Sequence, residues 1–247
     1  MNFFSDIVLS DFDLKIENIF QKGENTFFVI KEKWDYQLAL NFQEKVVSKV
    51  FANKEKKVFI ICSHPHCLTL GRGLQRRTKA DNDLIDFDEG LRGKLDIPLY
   101  DIKRGGGLTF HYPGQLVLYP IISLESQKLK VMDFLKRVLI ELKDTLEKKY
   151  ALEELSCEHD LIGLWHRDQK LASIGLCSHK FITYHGLALN LYNDELMDAV
   201  LAKVFPCGIS GRRYTTLSGI TSSRDDFFKV ISRYFLNSSA DRNSLFI

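Results

Sequence analysis

Between residues 161 and 190 three apolar runs, LIGLWH, LASIGLCSH and FITYHGLALN, follow one another with only a few residues between them. Strands joined this briefly have no room for a crossover helix, so they must fold back on one another. Upstream, KVFIIC (57–62) reads as a short buried strand, IPLYDIK (97–103) alternates like a strand, and QLVLYPII (115–122) reads as another. Helical spacing occurs in two longer stretches. Leu38, Phe42, Val46 and Val50 mark one face from about 34 to 51, and Val131, Leu135, Val138, Leu139, Leu142 and Leu146 mark another. A short helix is expected over 194–204 and a C-terminal one over about 225–236. No repeat occurs and no continuous βαβ alternation, so the expected class is α+β, a mixed β-sheet flanked by helices. The 247 residues are expected to form a single domain, 1–247.

Composition removes several function classes. The first twenty residues carry Asp6, Asp11 and Asp13 and no basic start, which does not read as a signal peptide. VFIIC and LVLYPII are far shorter than the roughly 18 residues a membrane helix needs. A formal net charge of +2 with no aromatic-basic patch argues against nucleic acid. The five cysteines show no CxxC spacing, which disfavours a disulfide framework or a structural zinc and points to the cytoplasm. No membrane, metal or cofactor is expected.

Three places could carry chemistry. The first is RGGGLTFHYPGQL (104–116), where three adjacent glycines weaken any helix or strand but let a ligand approach bare backbone. Its residues leave two readings open, a ligand-binding loop flanked by Arg104 and His111, or a bulged hairpin needing positive φ. The second is Lys170, at the start of LASIGL. A lysine there is either solvated or partly desolvated beside a site and able to exchange protons near neutral pH. The third is PCGI (206–209), where Pro206 and Gly208 hold Cys207 at a sharp break. Cys62 and Cys177 read as buried small apolar residues, while Cys67, Cys157 and Cys207 are less clearly core. A thiol becomes a nucleophile beside a cation, so a Cys/Lys or Cys/His acyl-transfer site is the chemistry these residues allow.

RGGGLTFHYPGQLVLYPII resembles the RGGxxTxHGPGQLVxYPI signature of the octanoyltransferases of lipoate biosynthesis. KLASIGL, FITYHGLALN, PCGI with YTTLSGI, and SHPHCLTLGRG resemble four further segments of that family, in order, over about residues 34–220. The resemblance implies a fold shared with lipoate- and biotin-protein ligases. It implies that Cys207 takes an octanoyl group from octanoyl-acyl carrier protein as a thioester and passes it to a lysine of a lipoyl domain. The expected acceptors are lipoyl domains of 2-oxoacid dehydrogenase acyltransferase subunits and the glycine cleavage H protein. Lys170 matches the family's catalytic lysine. The substrate-binding segments fall on Arg104, Gly105, Gly106, Gly107, Leu108, Thr109, Phe110 and His111, on Ser173, Ile174 and Gly175, and on Gly186, Leu187 and Ala188. His64 matches a site histidine.

Tyr112 departs from the pattern, which has glycine there. Arg212 and Arg213 follow PCGIS and are expected on a carrier's approach path. Residues 76–96, which begin with Arg76, Arg77 and Lys79, read as a mobile, solvated surface excursion, with docking of an acidic carrier the lesser alternative. The rival functions are an ATP-dependent lipoate- or biotin-protein ligase and an inactive homologue that only binds carrier domains.

Overall fold

A computed structural model describes residues 3–72, 90, 92, 96–157, 161–204, 210 and 213–237. Its strands are β1 (Ile19–Lys22), β2 (Thr26–Lys31), β3 (Lys57–Cys62), β4 (Cys67–Leu70), β5 (Leu99–Asp101), β6 (Leu108–His111), β7 (Gln115–Ile121), β8 (Leu155–Ser156), β9 (Gly163–His166), β10 (Gln169–His179) and β11 (Ile182–Asn190). Its helices are α1 (Tyr36–Ala52), α2 (Val131–Tyr150), α3 (Met197–Leu201), α4 (Leu217–Ile220) and α5 (Phe227–Asn237).

Eight strands form one sheet in the order β1-β2-β3-β7-β11-β10-β9-β8. Only β2 and β3 run parallel within it, and the 161–190 runs form the expected antiparallel meander β9-β10-β11. The strands are apolar on both sides because helices cover both faces. Phe27, Val29, Val58 and Ile60 point to a cluster with Phe42, Val46 and Val50 of α1. Their alternates Phe28, Phe59 and Ile61 point to Phe134, Val138 and Leu142 of α2 and Ile231 of α5. Asp35 caps α1 by accepting from Leu38 N–H at 3.0 Å.

A second sheet, β5-β4-β6, has three strands. Its apolar residues Leu68, Leu108 and Phe110 pack with Tyr112, Met197, Leu201 and Val204. β6 pairs with β4, whereas β7 pairs with β3 and β11, so no hairpin forms across Tyr112-Pro113-Gly114. The chain instead crosses there from one sheet to the other. The hairpin β1-β2, strand β8 and α4 had no clear sequence signal. The expected 194–204 helix is helical only over Met197–Leu201, and the expected 97–103 strand pairs only over Leu99–Asp101. Of residues 76–96, only 90, 92 and 96 lie within the described set.

Cys62 is buried as expected. Cys177 is half-buried instead, because β10 runs out of the core toward its exposed end at Ser178 and His179. Cys67 is core, and burial pushes its thiol up to about 12. Cys157 is half-buried. No helix among the described residues is long and apolar enough to cross a membrane.

Candidate active site

The two sheets meet along a cleft, and the glycine stretch is the seam between them. Gly105 N–H donates to Leu176 O of β10 at 2.9 Å, and Arg72 N–H donates to Arg104 O at 3.0 Å. The loop seats this closely because β10 has glycine opposite it. A Cβ at Gly175 would lie 2.6 Å from Gly105 O. Gly106 adopts φ +79°, a conformation side chains rarely take. The glycines therefore serve both a left-handed turn and a backbone-to-backbone contact.

Most of the residues singled out in the sequence border this cleft. Arg104, Gly106, Gly107, Thr109 and His111 line it from the small sheet's side. Ser173, Ile174 and Gly175 line it from β10, and Gly186, Leu187 and Ala188 from β11. The two groups face each other through the β10–β11 ladder, where Gly175 pairs with Gly186. The cleft is nearly closed: its free volume is about 30 Å³, far below the roughly 300–1,000 Å³ of small-molecule sites, so a ligand must part its walls to enter. Gly105, Leu108, Phe110 and His64 are not on this wall. Leu108 is buried in the small sheet's core, and Phe110 lines a second lobe with Tyr112, Met197, Leu201 and Tyr214. Thr109 and Ser173 border both lobes.

The polar side chains around the first lobe are largely committed to one another. Arg104, 7% exposed, donates to Thr69 O and Oγ1 at 2.9 Å each, to Thr109 Oγ1 at 2.7 Å and to Gly105 O at 3.0 Å. Gln115 Nε2 donates to Asn190 Oδ1 at 3.0 Å and to Phe110 O at 3.3 Å, which leaves its Oε1 to accept from His111 Nδ1–H at 2.7 Å. His111 Nε2 is then an acceptor, 3.4 Å from the Thr69 hydroxyl. His64 stands behind it in ring contact, donating from Nδ1 to Trp34 O at 2.7 Å and accepting from the Tyr119 hydroxyl at 2.9 Å. Burial pushes His64 down to about 4, His185 down to about 3 and His111 well below its ordinary value. Positive neighbours add to this at His111 and His185, and all three rings are neutral at pH 7.

Four lining side chains were not singled out in the sequence: Tyr36, Val117, Tyr119 and His185. His185 sits mid-strand at φ +58° with its N–H donated to Gln43 Oε1 at 2.9 Å across 142 residues. Its Nδ1 is buried without a hydrogen-bond partner among the described residues, as is Gln43 Nε2. A histidine in the middle of a largely apolar strand was the available signal. A strained non-glycine conformation of this kind is held in place by its surroundings and clusters at functional sites.

Lys170 is 1% exposed. Its ammonium lies 5.5 Å from the Trp165 ring centre, a contact worth roughly 2 kcal/mol where water is excluded. Its backbone bridges to Tyr214, and Thr215 N–H donates to Lys170 O at 3.1 Å. Tyr214 lines the second lobe, so Lys170 is tied to the cleft through it. Cys207 and Arg212 lie outside the described residues. Val204, before that segment, is buried in the small sheet's core beside Tyr112. Among the described residues no group of three or more His, Cys, Asp or Glu is arranged to hold a metal ion.

A mixed sheet flanked by helices, with a cleft against a smaller sheet, is the architecture of lipoate–protein ligases. A putative lipoate protein ligase from Thermoplasma acidophilum superposes with a TM-score of 0.60 at 12% identity, over 85% of this chain and 82% of that one. A lipoate-protein ligase A bound with ATP gives 0.59 at 14%, over 85% and 82%. At these identities the likeness is one of fold. The model of the lipoyl protein ligase A/B catalytic domain matches residues 35–236. An octanoyltransferase of Caldicellulosiruptor saccharolyticus is 31% identical over 210 residues, 83% of this chain and 84% of that protein. One of Desulforamulus reducens is 33% identical over 196 residues, 79% and 82%. The chain belongs to the lipoyl protein ligase A/B catalytic domain family, in its octanoyltransferase branch, and is an enzyme of the acyltransferase class.

Proposed function

We propose that this enzyme moves an octanoyl group from octanoyl-acyl carrier protein to a lysine of a lipoyl domain, through a thioester on Cys207. The observation that carries the reading is the convergence of three sequence segments, 104–111, 173–175 and 186–188, on one narrow cleft. The Cys207 thiol gives its proton to Lys170 and attacks the donor's thioester carbonyl, and the carrier's sulfur leaves and takes that proton back from Lys170. The acceptor lysine's amine then attacks the new thioester. An amide forms, the cysteine sulfur leaves, and the amine's proton passes through Lys170 to solvent or back to the sulfur. The first step exchanges one thioester for another, the second is downhill, and neither needs a nucleotide. The site residues proposed are Cys207 and Lys170 for catalysis, with the cleft residues Arg104, Gly106, Gly107, Thr109, His111, Ser173–Gly175 and Gly186–Ala188 around the acyl chain. Gly105, Leu108, Phe110 and His64 support that wall. One domain over 1–247 is the matching organisation, and the free thiols of the described cysteines suit a reducing cytoplasm.

The test is a choice of donor. Given a lipoyl domain, the enzyme is expected to form octanoyl-lysine from octanoyl-acyl carrier protein without ATP. Faster product from free octanoate with ATP would identify a ligase instead, and no product from either donor would identify a carrier-binding homologue.

A further inference from the structure

Lys170 of β10 and Trp165 of β9 are directly paired across the ladder, so their side chains leave the sheet on the same side. The register shifts between Lys170 and Ala172, and an irregularity of that kind re-aims the residue at its edge. The re-aimed stem runs along the Gly163 backbone and ends with the ammonium 5.5 Å from the indole centre. A second cation, the Arg213 guanidinium, lies 5.3 Å from the same centre. The ring itself is fixed, fully buried with Nε1–H donated to Leu161 O at 3.0 Å. One immobile aromatic thus meets both the lysine and the segment that carries Arg213 and Tyr214. Tyr214 in turn is bridged to the lysine's backbone.

We propose that Trp165 is the positioning residue for Lys170, aiming its ammonium at the cleft and locking it to the 213–215 segment. The proposal rests on the role proposed for Lys170, but the contact has its own readout. In ¹³C-lysine spectra the ring current is expected to shift the Lys170 ε-CH₂ upfield, the resonance being identified by its loss in Lys170→Gln. Trp165→Phe is expected to keep the shift in reduced form. Trp165→Leu is expected to return the resonance to the position of solvated lysines, and no movement there overturns the proposal. In turnover, Trp165→Leu is expected to lose at least about tenfold in kcat with little change in KM for the acyl donor. The pH midpoint of Cys207 alkylation is expected to rise in Trp165→Leu as in Lys170→Gln, with Trp165→Phe close to the parent. Should Trp165→Leu fail to fold, Trp165→Phe is read alone, and a Lys170 resonance unmoved from the parent there overturns the proposal. Normal turnover by Lys170→Gln removes the role on which the proposal rests. An inactive Lys170→Gln beside a folded, fully active Trp165→Leu removes the proposal alone.

Discussion

The two lobes of the cleft share Thr109 and Ser173 and differ in almost everything else. The first is bordered by Tyr36, Arg104, His111, Tyr119 and His185, the second by Phe110, Tyr112, Met197 and Leu201. Polar residue types do not make the first lobe hydrophilic, because most of its donors and acceptors are spent on one another and its histidines are neutral. A wall whose hydrogen bonds are already made offers a hydrocarbon chain little competition from water. The second lobe is also bordered by Gln115 and Asn190, which bond to each other, and keeps one buried hydroxyl, Tyr112 Oη, without a partner among the described residues. Polarity in such a site is read from commitments rather than from residue names.

The contrast can be broken first at the seam. Gly175→Val puts a Cβ 2.6 Å from Gly105 O, so the 104–107 loop must lift from β10. Displacement of that order is expected to cost about 10²-fold in acyl transfer, measured against a melting curve showing the core intact. Unchanged turnover would detach the loop from the site. Next, Gln115→Leu removes the hub joining His111, Asn190 and Phe110 O. The orphaned groups are expected to lower stability by about 3 kcal/mol, or roughly 6–12 °C in Tm, by calorimetry.

Proton linkage probes the same lobe more gently. An unfolded histidine titrates near about 6.5, whereas His64 and His185 bind a proton only near about 4 and about 3 in the fold. The unfolded chain therefore holds more protons between those values, and stability must fall as pH drops from about 6.5 toward 5. The expected slope is on the order of 1 kcal/mol per pH unit for each histidine. Urea midpoints at several pH values measure it, and His185→Asn is expected to flatten it. The smallest effect belongs to the second lobe. Tyr112→Phe deletes a buried hydroxyl that bonds to none of the described residues and is expected to stabilise by up to about 1 kcal/mol. A loss in the same calorimetric assay would mean the hydroxyl has a partner.

How much of this was legible in the sequence depends on range. Period-2 and period-3.6 patterns placed α1, α2 and the β9–β11 meander, because each buries a face the pattern encodes locally. The motif order placed eleven residues on the first lobe. What remained hidden was long-range. Nothing near Tyr112 says that β6 and β7 belong to different sheets. Nothing near His185 reveals a partner on α1 or a left-handed backbone inside a strand. Trp165 was not singled out in the sequence, and its contact with Lys170 needed the strand register. Cys67 is less clearly core in the sequence, whereas β4 carries it inward.

The central claim is chemical, and mapping the acylated residue tests it most directly. The enzyme is incubated with octanoyl-acyl carrier protein without acceptor, quenched in acid, digested and read by mass spectrometry. The account predicts one octanoyl group, labile to hydroxylamine, on the peptide containing Cys207. An octanoyl group on another residue, or none on the enzyme while a lipoyl domain is still modified, would contradict it.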